Sequence, residues 1–138
     1  MNGMDCDNLA TQFIAIKKEK TKMRMRGVIL FVKDVEKVAH FYESFFDATR
    51  VGVPDEGYLE LNAGDFQLAL HEAKWSDGDN SNSPAKIVFD CSDVYSKVTE
   101  FSKRGLKFGK VFEWKGFAFA DTKDPENNPV QISSRCVN

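Results

Sequence analysis

Gly27-Val28-Ile29-Leu30-Phe31-Val32-Lys33-Asp34-Val35 and, 59 positions further on, Lys86-Ile87-Val88-Phe89-Asp90-Cys91-Ser92-Asp93-Val94 share one pattern. Each is an apolar, β-rich run that ends in Asp-Val. A self-match of type and order at one fixed offset marks an internal repeat. Both runs lead into helical spacing: Val35, Val38, Ala39, Tyr42, Phe45 and Phe46 in the first, and Val94, Val98, Phe101 and Leu106 in the second. Asp34 and Asp93 stand where an N-cap carboxylate would accept from the free N–H groups of the first turn. Gly105 suits a helix stop.

Short strand candidates follow each helix: Thr49–Val53, Gly57–Leu61 and Phe66–His71, then Phe108–Trp114, Gly116–Asp121 and Pro129–Ser133. The pattern predicts an α+β fold of two βαβββ modules, residues 23–75 and 85–138, joined by a polar linker over 76–84. Residues 1–22 lie outside both repeats. Leu9, Phe13, Ile14 and Ile16 offer one short amphipathic face ahead of a basic stretch. A solvated extension, or sequence upstream of a natural start at Met23 or Met25, is the expectation there.

The 138 residues suffice for a core without metal or disulfide staples. No apolar run approaches the ~18 residues of a membrane span. A net charge of −2 gives no basic field for nucleic acid. Cys6, Cys91 and Cys136 are widely spaced and odd in number, without the pairing of a zinc site. A reducing cytoplasmic setting is therefore expected.

Val28–Tyr42, Leu68–Trp75, Ser92–Phe108 and Asp124–Ile132 together resemble the vicinal oxygen chelate superfamily, which holds glyoxalase I, extradiol dioxygenases and bleomycin-resistance proteins. The segment Ser92–Ser96 with Phe101, Gly105–Phe108 and Gly116–Phe119 looks particularly like glyoxalase I. The resemblance implies that each module curls into a half-barrel, that paired half-barrels enclose a concave cup, and that the protein is a homodimer. It also implies four metal-ligand positions, which fall here on Gly27, Ala69, Lys86 and Gln131. Glycine and alanine have no donor, and a protonated lysine repels a cation. No metal or other cofactor is therefore expected. A rearranged divalent site from His71, Glu72 and Gln131 is the alternative.

Strand alternation gives the residues that share a face with those positions: Ile29, Phe31, Gln67, Ala69, His71, Lys86, Val88, Asp90 and Gln131. Apolar side chains with a few convergent polar groups suit a small organic ligand, here amphipathic or cationic. Asp90 carries most of that expectation, being an acid within a run of Ile, Val and Phe; enclosure would make its charge costly. Trp75, Trp114, Phe112, Phe117 and Phe119 are candidates for one aromatic wall. The leading expectation is a metal-independent binder. The alternatives are a divergent lyase, isomerase or dioxygenase-type enzyme using Lys86, His71 or Asp90 in acid–base chemistry, and a subunit with no ligand.

Overall fold

The computed structural model describes residues 22–137; the expectations for residues 1–21 lie outside that range. The first module runs β1 (Gly27–Val32), α1 (Val35–Phe46), β2 (Thr49–Asp55), β3 (Tyr58–Ala63) and β4 (Phe66–Glu72). The second runs β5 (Ile87–Asp90), α2 (Val94–Lys103), β6 (Phe112–Trp114), β7 (Phe117–Lys123) and β8 (Pro129–Ser133). Each module forms one four-stranded mixed sheet, in the order β1-β4-β3-β2 and β5-β8-β7-β6. The first strand of each lies parallel to the last, and the remaining pairs are antiparallel. This is the expected α+β pair of βαβββ modules.

Local chemistry sets the helix boundaries. Asp34 accepts from the Lys37 N–H at 3.1 Å, and Asp93 from the Ser96 N–H at 3.0 Å. Each cap removes one of the unpaired donors of a helix start. Helix α1 ends at Asp47 in the left-handed region, while Gly105 follows α2 at φ 92°. The strand expected over Phe108–Trp114 is shorter, because only Phe112–Trp114 pairs with β7. Residues 108–111 form a loop tied to β7 by one Gly109 N–H to Asp121 carbonyl bond of 2.9 Å.

The core joins the modules through their helices. Val32, Leu59, Leu61, Leu68 and Leu70 from the first sheet pack with Val38, Ala39 and Tyr42 of α1, and the cluster continues to Phe101, Leu106 and Val130. Phe46 stacks on Phe89 with centroids 4.2 Å apart, and Phe45 meets Phe101 edge-on at 5.7 Å. Arg104 lies 4.8 Å over the Phe45 ring and donates to the Ser44 carbonyl. The apolar faces of both sheets are thus spent on the helices. The opposite, ligand-position faces point away from this core.

Polar groups complete the junction. The Asp124–Asn128 turn between β7 and β8 reaches into the first module, where Glu126 accepts from the N–H groups of Lys33 at 2.7 Å and Asp34 at 2.8 Å. In the linker, Asn80 donates its backbone N–H to the Glu126 carbonyl and its side-chain amide to the Phe31 carbonyl. Cys91 is a free, buried thiol, whose pKa burial pushes up. Cys136 is disulfide-bonded.

Candidate functional site

The register places the expected residues on two separate surfaces. In the first sheet Gly27 lies beside Gln67, Ile29 beside Ala69 and Phe31 beside His71. In the second, Val88 lies beside Gln131 and Asp90 beside Ser133. Alternation continues each set onto neighbouring strands: Tyr58, Glu60 and Asn62 on β3, and Asp121 on β7 together with the aromatic-wall candidates Phe117 and Phe119. Tyr58, Glu60, Asn62 and Asp121 carry the same period-two signal in the sequence.

On the first surface His71 is the centre. Phe31 lies 5.6 Å and Tyr58 5.8 Å from its ring, and Trp75 lies 5.9 Å from Phe31. The His71 Nδ1 is 2.8 Å from the Glu72 carbonyl, which fixes that nitrogen as the donor. Tyr58 donates to Glu60 at 3.2 Å, and Arg26 stands 3.7 Å from the same carboxylate. The Tyr58 pKa is raised, first by desolvation and then by this bond to Glu60.

On the second surface Asp121 is the organiser. Its carboxylate accepts from Lys86 Nζ at 3.0 Å and from the Gln131 amide at 2.9 Å. Lys86 and Gln131 are therefore brought together through a residue that the sequence list did not contain. Asp90 stands exposed at the end of β5, and its carboxylate makes no hydrogen bond to any described residue. The described residues of this chain do not supply the enclosure its sequence context suggested. Ile29, Phe31 and Val88 are likewise about half exposed, so the described residues of one chain close no cup over them.

The aromatic residues form two groups rather than one wall. Trp75 belongs with Phe31 on the first surface. Phe112, Phe117 and Phe119 form a row on the β6–β7 hairpin, with Trp114 beside Phe117.

The four positions marked for a metal do not fit one. Gly27 offers no donor and has no room for a side chain, since a Cβ there would lie 2.0 Å from the Gln67 carbonyl oxygen. Ala69 presents a buried methyl. Lys86 is ion-paired, and the Gln131 amide is committed to Asp121. The alternative set also stays apart: His71 and Glu72 are adjacent on one strand and face opposite sides, while Gln131 belongs to the other sheet. Among the described residues no three His, Cys, Asp or Glu side chains converge as a metal site.

A further cleft of about 600 Å³ lies between the α1 N-terminus and the β2–β3 hairpin, lined by Lys33, Lys37, Tyr58, Glu72 and Glu126 among others. No helix among the described residues is long and apolar enough to cross a membrane.

Comparison with known proteins places this architecture. The family model described as Glyoxalase/Bleomycin resistance protein/Dioxygenase superfamily matches residues 24–132. No curated protein sequence matches the chain. Among solved structures, lactoylglutathione lyase from Agrobacterium tumefaciens is similar at 19% identity and a TM-score of 0.65, over 83% of this chain and 95% of that one. A glyoxylase/bleomycin resistance protein/dioxygenase domain from Frankia sp. EAN1pec is similar at 14% identity and 0.66, over 82% and 98%. A possible glyoxalase from Bacillus cereus is similar at 15% identity and 0.65, over 80% and 98%. At these identities the likeness is one of fold.

Proposed function

The chain belongs to the Glyoxalase/Bleomycin resistance protein/Dioxygenase superfamily, and from that premise we propose that it is a metal-independent binder of a small organic molecule. The observation that carries this reading is at Gly27. The position the resemblance assigns to a metal ligand holds no side chain, and the Gln67 carbonyl occupies the space a Cβ would need. A lost ligand could be restored by one substitution; a lost ligand with its space closed could not.

The ligand surface that remains is the pair of half-exposed sheet faces. Ile29, Phe31 and Val88 supply apolar area, and Gln67, His71, Lys86, Asp90 and Gln131 supply polar contacts. Such a mix of apolar lining and a few placed polar groups is what small-molecule sites use. The same exposure supports a homodimer, because a second copy can cover the faces that the described residues leave open. Acid–base catalysis draws less support: His71 stands on one sheet, while Lys86 on the other is held by Asp121.

Metal analysis of protein purified without a chelating tag tests the reading. Metal well below one equivalent is expected, together with a screened ligand that raises Tm equally with and without chelator. Stoichiometric nickel, zinc, iron or manganese would overturn it. Light scattering tests the homodimer, and a clean 15.6 kDa species would remove it.

A further inference from the structure

The β6–β7 hairpin carries a feature outside the expected ligand list. Phe112 and Trp114 on edge strand β6 are 50% and 59% exposed. Phe119 stacks beside Phe112 at 5.7 Å and 23°, and Phe117 continues the row at 6.1 Å. All four residues lie on one face of the hairpin, the same face as Asp121 and Gln131. A separate groove of about 390 Å³ at the hairpin tip is lined by Glu113, Lys115, Ala118 and Ser134 as well as Trp114 and Phe117, and it does not reach Phe112 or Phe119.

Three cations lie over rings of this row. Lys110 lies 5.8 Å from the Phe112 centroid, Lys115 5.6 Å from Trp114, and Arg135 5.6 Å from Phe117. All three are exposed. None has a carboxylate partner among the described residues, whereas Lys86 on the same face is neutralised by Asp121. The nearest acid on the hairpin, Glu113, points to the opposite face and accepts from Tyr95 at 2.8 Å. Asp90 belongs to the far edge strand. Its row runs through Ser133 and Phe119 to Phe112, three strand spacings or about 14 Å away.

We propose that this strip is a subsite for a planar aromatic anion, such as an aryl carboxylate or sulfonate. The ring stacks against Phe112, Trp114 and Phe119, where offset and edge contacts between aromatic rings are favourable. The anionic group meets the ammonium and guanidinium donors that lie over these rings, as a charge-assisted contact. A cation in the same place meets three unpaired positive charges. The inference deepens the reading of the chain as a small-molecule binder and rests on it, while replacing the cationic ligand class with an anionic one.

Three probes that share a naphthyl ring and differ in charge test it: 2-naphthoate, neutral 2-naphthalenemethanol and a 2-naphthylmethyl trimethylammonium salt. Their dissociation constants and backbone amide shifts are measured on the full chain. Naphthoate is expected to bind about tenfold more tightly than the ammonium probe at low salt, with the ratio shrinking as salt rises. The shifts should centre on residues 112–119. In the K110Q/K115Q/R135Q variant, in which only exposed side chains change, the preference should vanish and the neutral probe should bind as before. Equal or tighter binding of the ammonium probe overturns the anionic class, as does a preference that survives in the variant. Shifts centred on Phe31 and His71 overturn the location. Absence of naphthoate binding overturns the subsite alone if the thermal screen returns a ligand, and the wider reading as well if it does not.

Discussion

The Tyr42 hydroxyl donates to Asp124 Oδ2 at 2.8 Å, a bond across 82 residues that joins helix α1 of one module to the β7–β8 turn of the other. Both side chains are buried. Asp124 also accepts from the N–H groups of Glu126 and Asn128 and from the Asn128 amide. Desolvation nevertheless outweighs these bonds and raises its pKa, while Tyr42 is pushed up by its own burial and by Asp124.

Tyr42→Phe should therefore destabilise the chain by about 1–3 kcal/mol, because a buried carboxylate loses one donor and no water replaces it. The pH dependence has a definite sign. An acid whose folded pKa is raised favours folding when protonated, so Asp124 contributes most at low pH and the contribution is lost as pH rises through its folded pKa. The Tyr42→Phe deficit should thus be larger at pH 7 than near pH 4. Urea unfolding at both pH values checks this, and a deficit that grows on acidification would contradict it.

Glu126 makes the second tie between modules. Its two oxygens hold the Lys33 and Asp34 N–H groups just ahead of the first turn of α1. Glu126→Ala orphans two part-buried donors and should cost about 2–4 kcal/mol. Glu126→Gln keeps one acceptor oxygen and should cost less. Unfolding curves for the two variants rank them, and equal midpoints would show that the carboxylate is not bracing the junction.

Gly27→Ala should cost about 2–4 kcal/mol, because the added methyl meets backbone rather than a side chain that can turn aside. Gly27→His should fail in the same way and should bring no nickel or zinc with it. Thermal melts and metal content of the two variants decide the matter. A stable Gly27→His protein holding one equivalent of metal would mean that the strand can shift to reopen the position.

The fold was legible because it is written twice. Two apolar runs that each end in an Asp cap, spaced 59 residues apart, specify strand, helix and register through local chemistry alone. The site was legible only in part, since period two says which residues share a face but not what lies opposite them. Lys86 reads as an unpaired cation along the chain and turns out to be held by Asp121, 35 residues away. Asp124 and Glu126 read as turn residues, and their reach into the first module depends on how the two sheets pack. The aromatic wall divided for the same reason: Trp75 follows β4, and its neighbour is Phe31 across that sheet.

Asp90 gives the last prediction. An acid in the run Ile87-Val88-Phe89-Asp90 reads first as a ligand-facing group, and otherwise as a structural one whose loss would cost about 1–3 kcal/mol. The structure instead leaves its carboxylate exposed and free of hydrogen bonds to described residues. Asp90→Asn should then change stability by no more than about 0.5 kcal/mol, as expected of a surface position without partners. The measurement is urea unfolding at several protein concentrations, because an exposed face can be covered by a second copy. A neutral effect at every concentration fits an open β5 edge. A loss above about 1 kcal/mol that appears only at high concentration would place Asp90 inside an assembly interface. The same loss at low concentration would contradict the exposed position itself.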